Sequence, residues 1–196
     1  MPGNVIDSDR RSSGHRTRRS MLQANLLFLS DRTLQRLSRS EIFSTPPYSG
    51  TLIRYHAHPA AWLHPLPDNI SFEEGALLEP LSVALAAVTR AELSLGMSTL
   101  ICGAGPIGLV TLLCAAAAGC EPLIITDLDA GRLEWAKKLV PRVHAVQVFR
   151  KEQPKEIAEK IKPLGGSEGI QSAMECTGVE SSVSAAIYVP PLVPHY

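Results

Sequence analysis

The 196-residue sequence lacks any apolar run of the roughly 18–20 residues that a membrane span requires. It also lacks net charge, with 19 basic and 19 acidic side chains, which argues against a nucleic-acid-binding protein held by bulk charge. The four cysteines form no CxxC pair and no disulfide-dense pattern, so a reducing compartment, the cytoplasm, is expected. The hydrophobic fraction of 45% nevertheless allows a sizeable core.

The zero net charge conceals an uneven distribution. Residues 1–40 hold eight arginines and no lysine against three acids, whereas the remaining residues hold eleven bases against sixteen acids. The polar, Arg-rich and Ser-rich start predicts a disordered basic extension over residues 1–43, within which a short amphipathic helix over residues 21–37 is an alternative. The same composition is typical of an organelle transit peptide, so a mitochondrial location stays open.

The next part of the chain predicts loops followed by two helices. Residues 44–70 are rich in proline and turn residues and predict loop with short extended pieces. Ser71 and Glu74 have the spacing of a capping box, which predicts a helix start. Because proline lacks an N–H group, Pro80 is expected to end this short helix and to start a second one, which runs to about residue 91.

From residue 98 the pattern changes to strands that alternate with helices. Buried strands are predicted at residues 98–102, 122–126, 144–149 and 170–176, and helices at residues 106–118, 130–139, 155–164 and 180–187. This alternation implies an α/β fold with a doubly wound parallel sheet that is covered on both faces. The expected strand order is 3-2-1-4. The fourth strand would then lie at an edge, where an apolar strand favours aggregation.

A glycine-rich turn follows the first of these strands. Residues 103–108 (GAGPIG) match the GxGxxG pattern directly after a strand and at the start of a helix. Gly103 permits the tight turn, Gly105 lets the backbone approach a pyrophosphate, and Gly108 allows close packing of helix on strand. Pro106 occupies the first helical turn, where its missing N–H costs little. Because a helix N-terminus favours a bridging phosphate, the pattern predicts a dinucleotide site rather than a mere tight turn.

Polar residues at two further strand ends extend this prediction. Asp127 follows the second strand, where its carboxylate is expected to accept hydrogen bonds from ribose hydroxyls and to repel a 2′-phosphate, which favours NAD over NADP. Arg132 lies near enough in sequence to contact the ribose or cover the adenine. Cys176 and Thr177 close the fourth strand, and either line the ligand crevice or form an ordinary turn.

Two weaker candidates are metal ligands. His56, His58 and His64 cluster in a proline-rich segment, where a surface loop is favoured over a metal site because no cysteine or carboxylate lies close by in sequence. Glu79 lies in the apolar run GALLEPLSVALAA, where a carboxylate is costly to bury unless it pairs or binds a metal. The alternative interpretation is that Glu79 is a partly exposed acid near a helix N-terminus.

Several strings point to one family. ALLEPLSVALAA, LICGAGPIGLVTLLCAAAAG, ITDLDAGRLEWAK and MECTGVESS resemble the zinc-dependent polyol dehydrogenases of the medium-chain dehydrogenase superfamily. This family includes sorbitol, xylitol and fungal L-arabinitol dehydrogenases, and the resemblance is closest to the last of these. It covers residues 44–187.

The resemblance implies a domain organisation. It implies a partial Rossmann domain at residues 94–187, and before it, at residues 44–93, a remnant of the GroES-like catalytic domain with a linking helix. Residues 1–43 and 188–196 have no counterpart in the family. The chain is therefore expected to be a family member truncated at both ends.

The resemblance also implies an activity and its residues. Family members use NAD and a catalytic zinc to oxidise a polyol hydroxyl to a ketone, and they form homo-oligomers. By position, Glu79 matches the acid at or beside the zinc, and the cofactor contacts match Pro106, Ile107, Asp127 and Arg132. The family's cysteine and histidine zinc ligands have no counterpart here, so impaired catalysis is expected. The alternative is a non-catalytic dinucleotide-binding remnant or an interaction protein.

Overall fold

The computed structural model describes residues 5–7, 21–23, 48, 50–58, 60 and 63–189. The chain separates into two compact units, Met1–Ser82 and Val83–Tyr196. The domain boundaries expected from the sequence, after residues 43, 93 and 187, stay predictions.

The first unit contains two small antiparallel sheets of two strands each. β1 (Val5–Asp7) pairs with β3 (Tyr55–Ala57), and β2 (Met21–Gln23) pairs with β4 (Leu63–Pro65). Within the predicted basic extension the structure describes only β1 and β2. Residues 21–23 form a strand, whereas the alternative prediction for residues 21–37 was a helix. The rest of the extension, and residues 190–196 of the predicted tail, lie outside the described residues.

Two consecutive helices follow, α1 (Phe72–Ala76) and α2 (Leu78–Arg90). The capping box is confirmed, because Ser71 Oγ accepts a hydrogen bond from the Glu74 N–H and the Glu74 carboxylate accepts one from the Ser71 N–H. α2 begins two residues before Pro80, whereas the sequence predicted a start at Pro80. The first N–H groups of a helix have no partner within it, so proline is tolerated there.

The second unit has the alternating order that the sequence predicted. Its elements are β5 (Thr99–Cys102), α3 (Pro106–Ala117), β6 (Leu123–Asp127), α4 (Ala130–Leu139), β7 (His144–Gln147), α5 (Pro154–Ile161), β8 (Ser172–Glu175) and α6 (Glu180–Tyr188). The four strands form one parallel sheet in the order β7-β6-β5-β8. The predicted order 3-2-1-4 is confirmed. Among the helices described, none is long and apolar enough to span a bilayer.

Both faces of the parallel sheet are covered. Ile101 and Ile125 point to the face on which α3 and α4 pack, and Leu100 and Ile124 point to the opposite face, with α5 and α6. All four side chains are fully buried, as alternation along a strand requires when both faces carry helices. The doubly wound α/β prediction is thereby confirmed. Because the strands are parallel, the carboxyl ends of β5, β6 and β8 lie at one edge of the sheet.

Candidate functional site

The turn after β5 is tight and is held by its neighbours. Gly103 has a φ of +101°, a conformation that side chains with a Cβ rarely adopt. Its N–H donates a hydrogen bond to the Thr126 carbonyl oxygen at 2.7 Å, which ties the turn to the end of β6. A Cβ built on Gly103 would lie 2.7 Å from Thr177 Cγ2. The position therefore needs glycine for both its backbone angle and its surroundings.

The other two glycines of the motif have opposite surroundings. A Cβ on Gly108 would lie 1.8 Å from the Gly103 carbonyl oxygen, so α3 packs directly on the turn. A Cβ on Gly105 would meet nothing within 4 Å. Gly105 is the N-cap of α3, and no described side chain caps it. Pro106 and Ile107 begin the helix; Pro106 has no N–H group, and the N–H of Ile107 has no partner within the helix.

Asp127, the last residue of β6, is tied to the same turn. Its Oδ2 accepts a hydrogen bond from the Ala104 N–H at 2.7 Å, and its Oδ1 accepts one from the Asp129 N–H at 2.8 Å. Nη1 of Arg132 lies 3.9 Å from Asp127 Oδ2, with side-chain exposures of 58% for the arginine and 10% for the aspartate. Each carboxylate oxygen has a second lone pair for a further donor, such as a ribose hydroxyl.

The third side of the site is the segment after β8. The Cys176 N–H donates a hydrogen bond to the Cys102 carbonyl oxygen at 2.9 Å. A Cβ built on Gly108 would lie 3.8 Å from the Cβ of Cys176. The structure thus brings Cys176 and Thr177 against the glycine turn, while their contact with a cofactor stays a prediction. Burial raises the pKa of Cys176, and it raises the pKa of Cys102 to about 11. Both thiols are therefore protonated at neutral pH and are poor nucleophiles.

Glu175, the last residue of β8, was missed in the sequence analysis. Its carboxylate accepts hydrogen bonds from Thr177, Gly178 and Ser182. Burial alone would raise the pKa of Glu175, but these hydrogen bonds outweigh it and hold the pKa below its ordinary value. The sequence did contain a sign of this role, because Glu175 is a charged residue at the end of a predicted buried strand. Burying a charge costs free energy unless the charge has hydrogen-bond or ionic partners.

The predicted metal ligands are not brought together in the described part of the chain. Glu79 is exposed in the first turn of α2, which matches its reading as a helix-terminal acid. Across residues 5–7, 21–23, 48, 50–58, 60 and 63–189, no group of three or more His, Cys, Asp or Glu side chains could hold a metal ion. These residues therefore do not fit the three-ligand zinc site that the resemblance implies.

The expected surface loop for the histidine cluster is wrong, because His56 lies in β3, His64 lies in β4 and His58 is buried. His58 is 6% exposed, and burial followed by the proximity of His56 lowers its pKa. The ring centroids of His56 and His58 lie 5.7 Å apart, and His64 is exposed. Sequence composition could not show this burial, because it depends on the fold of the first unit.

Comparison with known proteins finds relatives that match most of the chain. A family model described as a zinc-binding dehydrogenase matches residues 106–189. The chain is 57% identical over 144 residues to an L-arabinitol 4-dehydrogenase from Aureobasidium melanogenum, an alignment that covers 74% of the chain and 39% of the relative. It is 48% identical over 145 residues to a sorbitol dehydrogenase from Bos taurus, covering 74% of the chain and 40% of the relative.

A solved structure supports the same grouping. A zinc-binding dehydrogenase from Sinorhizobium meliloti, bound to NADP, superposes with a TM-score of 0.61 at 25% sequence identity. That comparison covers 73% of this chain and 41% of the other. The chain therefore spans about 40% of the length of the relatives it matches.

Proposed function

Because this chain belongs to the zinc-binding dehydrogenase family, we propose that its second unit binds NAD(H) and that the protein acts as a polyol dehydrogenase. The observation that carries the cofactor proposal is the geometry of residues 103–108: a tight turn, a helix packed against it and an open cradle at Gly105. These features suit a bound pyrophosphate, which needs close backbone approach and a helix N-terminus.

Each residue of the site has a defined task in this proposal. The backbone at Gly105 and the first turn of α3 hold the pyrophosphate, and the Asp127 carboxylate accepts the adenosine ribose hydroxyls. Arg132 covers the adenosine side, and Cys176 and Thr177 form the opposite wall. When bound, the nicotinamide ring supplies the hydride-transfer chemistry of the family. The role of the protein residues described here is to bind and orient the cofactor.

The first prediction is that NADH binds at least about fivefold more tightly than NADPH. Two like charges about 4 Å apart near a protein surface repel by roughly 1–4 kcal/mol, so a 2′-phosphate beside Asp127 is disfavoured. Asp127→Asn removes that charge while retaining the side-chain shape. We expect the ratio of the NADPH and NADH dissociation constants to fall below about threefold in this variant. Calorimetric titration of both cofactors measures the ratio.

The matched control for this prediction is Glu134→Gln. Glu134 lies on α4 and pairs with Lys137 at the surface, so its neutralisation removes one negative charge away from the glycine turn. The NADH preference is expected to persist in this variant. Equal affinities for the two cofactors in the unmodified chain would contradict the assignment of Asp127.

The substrate class is proposed from the relatives. Similarity to L-arabinitol and sorbitol dehydrogenases supports a polyol substrate. A second candidate function is dinucleotide binding without catalysis, and the observation that favours it is the lack of a three-ligand metal site among the described residues. Zinc content together with turnover of a polyol distinguishes the two functions.

Location and assembly are further proposals from the sequence. We propose a cytoplasmic homo-oligomer, with mitochondrial targeting by residues 1–43 as the alternative location. Amino-terminal sequencing of the mature protein tests the targeting alternative, because a transit peptide is removed on import. Gel filtration at several protein concentrations tests the oligomeric state.

A further inference from the structure

The strand β8 lies at an edge of the parallel sheet. It pairs with β5 and with no other strand in the part of the chain that the structure describes. The N–H groups of Ser172 and Cys176 donate to carbonyl oxygens just before β5 and at its end. Because backbone groups alternate in direction along a strand, the N–H and carbonyl groups of Ala173 and Glu175 point away from β5. These groups form the free edge of the sheet.

The free edge is short, because hydrogen bonds within the chain already use the donors on both sides of it. The Gln171 N–H donates to Ser98, and the Thr177 N–H donates to the Glu175 carboxylate at 2.9 Å. Between them, the described strand offers the N–H groups of Ala173 and Glu175. Unpaired backbone groups at an edge are a template for a further strand. A partner strand must therefore match two donors and two acceptors.

A second copy of the same edge meets this requirement. In an antiparallel pair about a two-fold axis at Met174, Ala173 of each copy lies opposite Glu175 of the other. Each opposed pair exchanges two hydrogen bonds, so the free N–H groups of both copies are used. An axis at Ala173 would need the Gln171 N–H, which already has an acceptor. An axis at Glu175 would place two like charges directly opposite one another, which is destabilising.

The helix that follows β8 has an exposed apolar stripe. Three β-branched aliphatic residues are spaced four positions apart from its N-cap onward, which places them on one face of the helix. They are Val179, Val183 and Ile187. Their exposed fractions lie between 41% and 68%. Because removing such side chains from water is favourable, the stripe favours a surface that covers it.

The stripe lies on the flank of α6 that faces away from α5. Tyr188 lies on the flank beside α5, since Nζ of Lys155 on α5 is 5.6 Å from the centroid of its ring. With about 100° between successive helical residues, Val183 and Ile187 lie on the other flank. α6 contacts β8 and β5, so α5 covers the β6 side of this face. The flank with the stripe is therefore the one next to the free edge of β8.

We propose that the free edge of β8 and the stripe of α6 form one self-association surface, on which two copies of this chain join their four-stranded sheets into one. The two-fold axis that pairs the strands also places α6 antiparallel to its copy on the same face, so that stripe meets stripe. The inference rests on the homo-oligomer proposed above and names its surface. It does not depend on cofactor binding.

Two other occupants of this edge fit it less well. Residues 190–196 follow α6 directly, but three of these seven residues are prolines, which have no N–H group to donate to a ladder. An extended segment of an unrelated protein would pair with the strand alone and leave the stripe uncovered. A second copy covers both features at once, because a two-fold interface uses the same patch on both partners.

The test measures self-association of the full 196-residue chain by sedimentation equilibrium. A short edge and one helix stripe are smaller than a permanent interface, so we expect a dimer with a dissociation constant of about 10–100 μM. Ala173→Pro removes one free-edge N–H and none of the N–H groups that pair with β5. It should weaken the dimer at least about tenfold, because two of the four hydrogen bonds between the copies are lost. Ala173→Gly retains the N–H group and should stay within about twofold of the unmodified chain.

A second variant changes the stripe and leaves the strand intact. Ile187→Lys places a charge in the proposed contact between the helices, and it should also weaken the dimer at least about tenfold. Its matched control is Leu139→Lys, which makes the same change in charge at an exposed apolar residue of α4. The control should leave the dissociation constant within about twofold, because α4 packs on the opposite face of the sheet. Ile187→Lys keeps the test decisive if Ala173→Pro fails to fold.

Hydrogen exchange of the unmodified chain gives a second measurement, since the amides of Ala173 and Glu175 should become protected as protein concentration rises. A dimer that both variants weaken and both controls retain supports the proposed surface. A dimer that Ile187→Lys or a folded Ala173→Pro leaves unchanged overturns this surface but not the proposed homo-oligomer. A chain that stays monomeric overturns both. Protection of the two amides at every concentration overturns the inference, because the chain itself would then cover the edge.

Discussion

Replacing Gly108 by alanine is expected to destabilise the second unit by about 3 kcal/mol, at the upper end of the usual cost of overpacking. The added Cβ would lie 1.8 Å from the Gly103 carbonyl oxygen and 2.8 Å from its carbonyl carbon. Both are backbone atoms, so no side-chain rotation relieves the clash. Either α3 must move away from β5 or the turn must open, and each movement separates buried residues of the core. Denaturant-induced unfolding followed by circular dichroism measures the loss.

Gly105→Ala is the matched control, with the opposite expected pattern. Its Cβ would enter open space, and its φ of −72° is accessible to alanine, so unfolding should shift by less than about 0.5 kcal/mol. NADH affinity should nevertheless fall about tenfold, because the methyl group fills the place that the pyrophosphate approaches. If Gly108→Ala proved as stable as the unmodified chain, the close packing of α3 on the turn would be wrong.

The features that the sequence predicted well are those that arise from local patterns. Short apolar runs separated by amphipathic segments predicted the strand order, because the doubly wound topology allows few alternatives once strands and helices alternate. The Ser71 capping box was recognisable because both its hydrogen bonds join residues three positions apart. The glycine turn was recognisable because each glycine of the motif meets a separate steric demand.

The features that the sequence did not predict depend on contacts between distant residues. β2 pairs with β4 across some forty positions of sequence, and a three-residue strand has no periodicity of its own. The role of Glu175 depends on where the chain turns after β8, and the burial of His58 depends on the fold of the first unit. The start of α2 before Pro80 was mispredicted for a local reason: proline is compatible with the whole first turn and not only with its first position.

The second large effect concerns catalysis. We expect the 196-residue chain alone to oxidise L-arabinitol, xylitol and sorbitol at least about a thousandfold more slowly than a full-length sorbitol dehydrogenase, because a catalytic zinc contributes several kcal/mol of stabilisation to charge in the transition state. Such a zinc needs three protein ligands and an open position. In the described part of the chain, Glu79 is a single exposed carboxylate, which is expected to hold zinc only weakly.

The experiment measures zinc and turnover on the same sample. The purified chain is dialysed against zinc, its metal content is determined by elemental analysis, and NADH formation is followed with each polyol. The alternative ligands are His56, His58 and His64. The rings of His56 and His58 lie 5.7 Å apart, and the lowered pKa of His58 favours the neutral imidazole that metals bind. The prediction would be contradicted if the chain held stoichiometric zinc and if Glu79→Ala abolished its NADH production. If His56→Ala then lost that zinc, the first unit would supply the missing ligand. Absent zinc with intact NADH binding would instead identify the chain as a dinucleotide-binding unit, since the residues of the proposed cofactor site all lie in the second unit.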